Sequence, residues 1–437
     1  YDAERMSIKT TQKVHKDDAS TRAAKDGREG VPAGAFPVGS TSLLVWVFFM
    51  TFIGRTILSP LLLPIERDLE ISHAEGGSFF LVISLGLMLT MLFSGFISQR
   101  LEHHSTIAVA GWITGLSLLL LGLVDSLFWF RVGLFFLGAG AGLYLPSGVT
   151  TLTDVVSEKQ WGMAIAVHEL GPILGLASAP VFAEAALRYT DWRSLLIVMS
   201  VFSLAAGSLF FRFARGGRFH GSAPKWDQVS EILCKRNFVI ISFFFIMAIG
   251  LEMGVYSMLP SYLVAGRGID SSTVNTIVGT SRLTSLIMVF IAGWLSDRFG
   301  YQWVIGGVAL AAGAVTALIG FGGGWALIAA VYLQPMLVSA FFPAGFTAMA
   351  AVNRPEQRNL AVSLVIPIAY LFGGGIFPTM IGRLAEQDLF GLGFVIIGVL
   401  TALGLFIVPA LGRAGPSTEQ PLGQEQSARA GTSSRAR

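Results

Sequence analysis

Five ionisable side chains fall where charge is costly. Arg55, His168, Glu169, Glu252 and Arg282 each lie inside a long apolar stretch. A charge at the centre of a membrane-spanning helix costs about 2.5–3.5 kcal/mol on insertion scales, so each is a functional candidate. A guanidinium is planar, always charged, and meets a carboxylate with two parallel hydrogen bonds. Arg282 is therefore the leading candidate to bind an anionic substrate, with Arg55 as a second contact. Two cations facing one low-dielectric cavity would attract an anion. The alternative is internal pairing, with either arginine held by Glu252 or Glu169. Glu252, Glu169 and His168 are the candidates for proton coupling. Burial favours a neutral acid and a nearby arginine favours its anion, so a carboxyl between them can change protonation as its surroundings change. Histidine changes charge near neutral pH. Neighbours on a helix point about 100° apart, so His168 and Glu169 cannot face one cavity equally, and Glu169 is preferred. Tyr144, Tyr256, Tyr332 and Tyr370, with Gln334, could shape the pocket, although tyrosine also gathers at membrane interfaces.

These residues need elements to hold them, and composition says which. Of 437 residues, 53% are hydrophobic and 13% charged, against about 25% charged in a soluble domain. Mean hydropathy is +0.67. Such a chain cannot cover itself with polar surface in water, and it is too apolar for disorder. One cysteine and six histidines offer no disulfide framework and no metal spacing, so no metal or cofactor is expected. A net charge of +3 gives no reason to expect nucleic acid.

A helix needs about 20 apolar residues to cross a bilayer. Twelve such stretches are present: 41–63, 77–97, 105–124, 127–151, 161–184, 192–213, 237–263, 273–296, 302–321, 324–351, 360–382 and 389–411. Their continuous apolar character predicts helices rather than barrel strands. The expected fold is all-α and integral to the membrane, in two pseudo-symmetric six-helix bundles. The bundles cover 41–213 and 237–411, and the linker covers 214–236. Residues 1–40 and 412–437 are expected to be disordered tails. Most of the 30 Lys and Arg residues fall in the tails, the linker and the loops on their side; Arg67, Arg131, Arg188, Arg193, Arg267 and Arg383 fall on the other side. The positive-inside rule then places both termini in the cytoplasm and the chain in the cell (inner) membrane.

The halves repeat at an offset near 197 residues. Leu145-Pro146-Ser147-Gly148-Val149-Thr150 matches Phe342-Pro343-Ala344-Gly345-Phe346-Thr347, Gly95–Arg100 matches Gly293–Arg298, and Ile53-Gly54 and Pro64 match Ile249-Gly250 and Pro260. Duplicated bundles are the architecture of secondary transporters, with the substrate site near the midplane between halves. Gly293-Trp294-Leu295-Ser296-Asp297-Arg298-Phe299-Gly300, after span 8, resembles the Gly-x-Leu-x-Asp-Arg-x-Gly loop of the major facilitator superfamily. The copy after span 2 departs from it, with Gln99 where the acid belongs. The resemblance implies a gating role for Gly293, Asp297 and Arg298, holding two helix ends together in one access state. It also implies that spans 1, 4, 5, 7, 8, 10 and 11 contribute to a central cavity. Several organic-anion carriers of that superfamily are similar in placing an arginine in span 8.

The expected function is secondary transport by alternating access, of a small organic anion such as a monocarboxylate, coupled to protons, by a monomer in a lipid bilayer. No phosphate-cradling loop is found, so an ion or substrate gradient supplies the energy, and no enzymatic chemistry is expected. Gly171-Pro172-Ile173-Leu174-Gly175 in span 5 is similar to a stretch of proton-coupled exporters in the same superfamily. That makes export of hydrophobic compounds one alternative. A non-transporting membrane sensor on the same fold is another.

Overall fold

Lipid offers no partner to a bare peptide group, and a helix satisfies its own, so the apolar stretches become helices. The computed structural model describes residues 37–221, 226–354 and 357–411. Among these residues, ten helices are long and apolar enough to cross a membrane: Val38–Thr56, His73–Ser98, His103–Leu123, Leu127–Val155, Trp161–Tyr189, Trp192–Phe213, Arg236–Gly266, Tyr301–Phe321, Gly324–Val352 and Leu360–Ala385. They correspond to the expected spans 1–7 and 9–11. Span 1 continues through Ile57 into a further helix, Leu58–Asp68.

Spans 8 and 12 differ from simple expectation. Span 12 is a shorter apolar helix, Phe390–Phe406. Span 8 is built from Ser271–Ser281, a 3₁₀ turn at Arg282–Thr284, and Ser285–Phe299. The reason is local. Ser281, Thr284 and Ser285 crowd around Arg282, and the Ser281 and Thr284 hydroxyls donate to the carbonyls of Val278 and Ser281. Such side chains compete with the regular backbone pattern. The tails expected to be disordered lie outside the described residues, apart from 37–40, where the first helix begins.

The two halves pack alike. Span 2 lies on span 4, span 3 on spans 4 and 6, and span 1 on span 5. The equivalent pairs recur in the second half: 8 on 10, 9 on 10 and 12, and 7 on 11. Between the halves, span 2 meets span 11, span 5 meets span 8, and span 1 meets span 7.

The linker marks one end of the molecule. Its first part binds the first half: His103 N–H donates to Phe219 O, His104 N–H to Gly217 O, and Gly221 N–H to Ser98 O. Its second part is a helix, Trp226–Leu233, whose Glu231 accepts from Gln357 (2.9 Å) and lies 3.1 Å from Lys235. The opposite, far end carries the N-caps of spans 2, 6 and 8. Ser72, Asp191 and Asp270 accept from Glu75, Ser194 and Thr273 N–H. Ser72 and Glu75 form a reciprocal capping box.

Candidate substrate and proton sites

Span 7 departs from α-helix where it crosses the middle of the bundle. Gly250–Gly254 forms a π-helical turn, a distortion that often marks functional positions. Two glycines make room for it: a Cβ on Gly373 of span 11 would lie 2.5 Å from Gly250 N. The widened turn loosens a carbonyl, and Gln334 of span 10 donates to it, Nε2 to Leu251 O at 2.8 Å. This braced turn presents Glu252 and, one turn on, Tyr256.

Arg282 enters from the 3₁₀ turn of span 8. Its side chain is 1% exposed. Nη1 lies 3.7 Å from Glu252 Oε1, and Cζ lies 4.7 Å from the centre of the Tyr256 ring. Among the described residues, none offers a hydrogen-bond acceptor to Nε, Nη1 or Nη2, or a donor to Glu252 Oε2. A buried guanidinium carries five N–H donors, and buried polar groups are normally satisfied. One carboxylate at 3.7 Å gives Coulomb attraction but no hydrogen bond, a poor return for the desolvation of both ions. The geometry suits a ligand that brings its own acceptors to the fork.

Tyr256 is itself fixed from the other half. Its hydroxyl donates to Leu176 O of span 5 at 3.0 Å, and its carbonyl accepts from Ser59 Oγ of span 1 at 2.7 Å. The Arg282 site thus sits where the halves meet. Arg55 lies one helical turn before Ser59 but has different neighbours. Its guanidinium packs on the rings of Phe52 (4.4 Å) and Tyr370 (4.9 Å), and Nη2 lies 3.4 Å from Tyr370 Oη. Tyr370 opens another π-helical segment, Tyr370–Ile376. Arg55 therefore bridges span 1 to span 11, with no acceptor for its Nε among the described residues.

The remaining tyrosines divide. Tyr332 pairs with Thr280 of span 8 (2.7 Å), inside the second half. Tyr144 is fully buried and lies in the other half: its hydroxyl donates to Leu44 O (2.8 Å) and meets His168 Nε2 (2.9 Å). The structure thus groups Tyr144 with the proton candidates rather than with Arg282. His168 is buried against the Phe48 ring, at 4.3 Å and 19°. Glu169 is 53% exposed, with Oε1 3.6 Å from His168 Nδ1. The angular separation expected of adjacent residues is present, one buried and one accessible.

At the linker end, Gly293 faces open space and exposed Arg298 lies over the rings of Trp294 and Phe299. The side chain of Asp297 lies outside the described residues. The Gly171–Gly175 stretch packs span 5 on span 1: a Cβ at either glycine would meet Phe48 or Phe52 within 3.4 Å.

Sequence reasoning missed the contacts that join the halves toward the far end. Asn275 donates to Glu184 (3.0 Å), Thr379 to Gly77 O (3.3 Å), and Ala74 N–H to Glu386 Oε1 (3.2 Å). Glu66 Oε2 meets His73 Nδ1 at 2.7 Å. The capping box at Ser72 and Glu75 was the available signal. The glycines where spans 2 and 11 touch, Gly77, Gly375 and Gly382, gave only a general packing signal.

Two matched bundles with polar groups converging between them define a membrane-transporter architecture. The model of the Major Facilitator Superfamily matches residues 44–279 and again 241–436. The chain belongs to that superfamily. Among curated relatives, it is 22% identical over 393 residues to a putative niacin/nicotinamide transporter of Bacillus subtilis, covering 86% of this chain and 95% of that one. It is 23% identical to a probable sulfoacetate transporter of Cupriavidus necator, covering 84% and 92%. The 4-hydroxybenzoate transporter of Pseudomonas aeruginosa is 22% identical, covering 78% and 83%. Among solved structures, a bacterial homologue of the human lysosomal transporter Spinster superposes with a TM-score of 0.72 at 16% identity, over 86% of this chain and 97% of that one. A D-xylose–proton symporter gives 0.69 at 13%, over 87% and 99%. The fold and relatives are those of multi-pass membrane transporters, not enzymes.

Proposed function

We propose that this protein is a secondary active transporter that moves a small organic anion, a carboxylate, together with a proton by alternating access. The observation that carries the reading is Arg282: a buried guanidinium between the halves whose three nitrogens find no acceptor among the described residues. A carboxylate would meet that fork bidentately, with Glu252 holding the guanidinium from one side and the Tyr256 ring lying beneath it. Arg55 and Tyr370 form a second polar contact from span 1 to span 11, and Tyr332 flanks span 8. Two of the relatives' names, for sulfoacetate and 4-hydroxybenzoate, support an anionic cargo, and the third, for niacin/nicotinamide, covers an acid and its neutral amide. His168, Glu169 and Glu252 are the groups available to carry the proton.

In this reading the far end is closed, with spans 2 and 11 in contact and spans 5 and 8 tied by Asn275 and Glu184. The loop at Gly293–Gly300, with Asp297 and Arg298, closes the linker end in the opposite state. In the same reading the linker end and both tails lie in the cytoplasm, which the distribution of cations supports, and the protein acts as a monomer in the cell membrane. Purified protein in proteoliposomes should accumulate labelled nicotinate or 4-hydroxybenzoate under an inward proton gradient. Arg282→Ala should abolish the uptake, and Arg282→Lys should leave little of it, because an ammonium cannot reproduce the planar fork. Wild-type rates in either variant would overturn the assignment.

A further inference from the structure

We infer that the transported proton is held by a Tyr144–His168–Glu169 chain on the span 5 side of the molecule, and that Glu252 serves only as the counter-ion of Arg282. The inference deepens the transport reading above and rests on it. Hydrogen-bond direction carries the first step. A carbonyl can only accept, so the Tyr144 hydroxyl spends its one hydrogen on Leu44 O at 2.8 Å. The same oxygen lies 2.9 Å from His168 Nε2 and must therefore accept from it. Tyr144 thus fixes the imidazole with Nε2 protonated. Nδ1 is left as the basic nitrogen, and it faces Glu169 Oε1 at 3.6 Å.

Neutral His168 with ionised Glu169 carries one negative charge. Taking up one proton at Nδ1 gives imidazolium beside carboxylate, with no net charge. The Phe48 ring, stacked on the imidazole at 4.3 Å, accommodates that cation. His168 is 1% exposed and Glu169 is 53% exposed, so the carboxylate is the route by which a proton reaches the ring. Among the described residues, the charged groups on the packed spans are engaged elsewhere, Arg193 of span 6 with Asp68 and Asp125. On span 4 the titratable group at the ring is Tyr144; on span 1, Arg55 faces Phe52 and Tyr370; on span 8, Arg282 faces Glu252. The link to the substrate site runs along span 5 itself. Leu176, about two helical turns beyond Glu169, accepts the hydroxyl of Tyr256, the ring against which Arg282 lies.

The test uses the full chain in lipid nanodiscs with ¹⁵N-labelled histidine rings, the His168 signals being assigned by their loss in His168→Asn. At high pH the ring should show Nε2 protonated and Nδ1 bare. Acidification should protonate Nδ1. Glu169→Gln should move that transition, and Tyr144→Phe should mix the tautomers without unfolding the protein. In proteoliposomes, Glu169→Gln should lose gradient-driven uptake of nicotinate while exchange of internal for external nicotinate persists. A ring that stays neutral throughout, or gradient-driven uptake that survives Glu169→Gln, overturns the inference. Absence of nicotinate and 4-hydroxybenzoate flux in the wild type would count against the transport reading, and the ring titration would still judge the proton pair.

Discussion

At the scale of single residues, chemistry was legible where it is costly. Arg282 and Glu252 stood out because charge inside an apolar stretch needs a reason, and the structure brings them within 3.7 Å. Tyr144 was legible as a polar aromatic but its role was not, since a sequence does not say which carbonyl a hydroxyl will find. Gln334 shows the same gap. It was visible as a polar group in span 10, yet its work is to hold the Leu251 carbonyl and so the turn that presents Glu252. Leaving a buried acceptor unsatisfied costs about 1–3 kcal/mol. Gln334→Leu should therefore lower the melting midpoint and weaken carboxylate affinity more than it slows turnover. A variant with wild-type affinity would show that the brace has no part in the site.

Elements were legible by length and hydropathy, and their irregularities were not. Hydropathy located the apolar stretches because lipid demands a minimum length. It could not show the π-helical turns at Gly250–Gly254 and Tyr370–Ile376, which depend on glycine contacts between two spans. Nor could it show how span 2 is held to the span 11–12 turn. There Glu386 accepts from Ala74 N–H at the positive end of the span 2 helix. A hydrogen bond from Ser72, then the Ala74 amide, holds the Glu386 carboxyl below the usual carboxylate range. A lowered carboxylate stabilises the closed far end at pH above its ordinary value. That contribution fades as pH falls through the lowered one. Acidification, or Glu386→Gln, should therefore increase opening at the far end, read as faster labelling of a cysteine placed at Thr379. Labelling that slows in acid would contradict the latch.

At the scale of the molecule, the repeat was the most informative feature of the sequence. Pairs at one offset implied two equivalent bundles, and the equivalent helix packings 2–4 and 8–10, 3–6 and 9–12, 1–5 and 7–11 are present. The way the bundles meet was not legible, because the polar contacts that join them are single hydrogen bonds from Ser59, Asn275 and Thr379, which no hydropathy pattern marks. The linker, read only as a polar connection, proves to be fastened to each half separately. The His104 ring Nδ1 lies 3.2 Å from the Gly216 carbonyl oxygen on one side, and Lys235 donates to Gln357 on the other. Such fastening lets each half move as a unit with its own part of the linker.

The account's central claim is that a carboxylate at Arg282 biases the two halves between opposite openings. Spin-label distances measure this directly. With Cys234 replaced by serine, one pair of labels at Asp125 and Gln387 spans the far end, and another at Lys159 and Phe299 spans the linker end. Nicotinate or 4-hydroxybenzoate with a proton should lengthen the first distance and shorten the second, and Arg282→Ala should remove the response. Distances that ignore the ligand, or that change in the same direction at both ends, would contradict the claim.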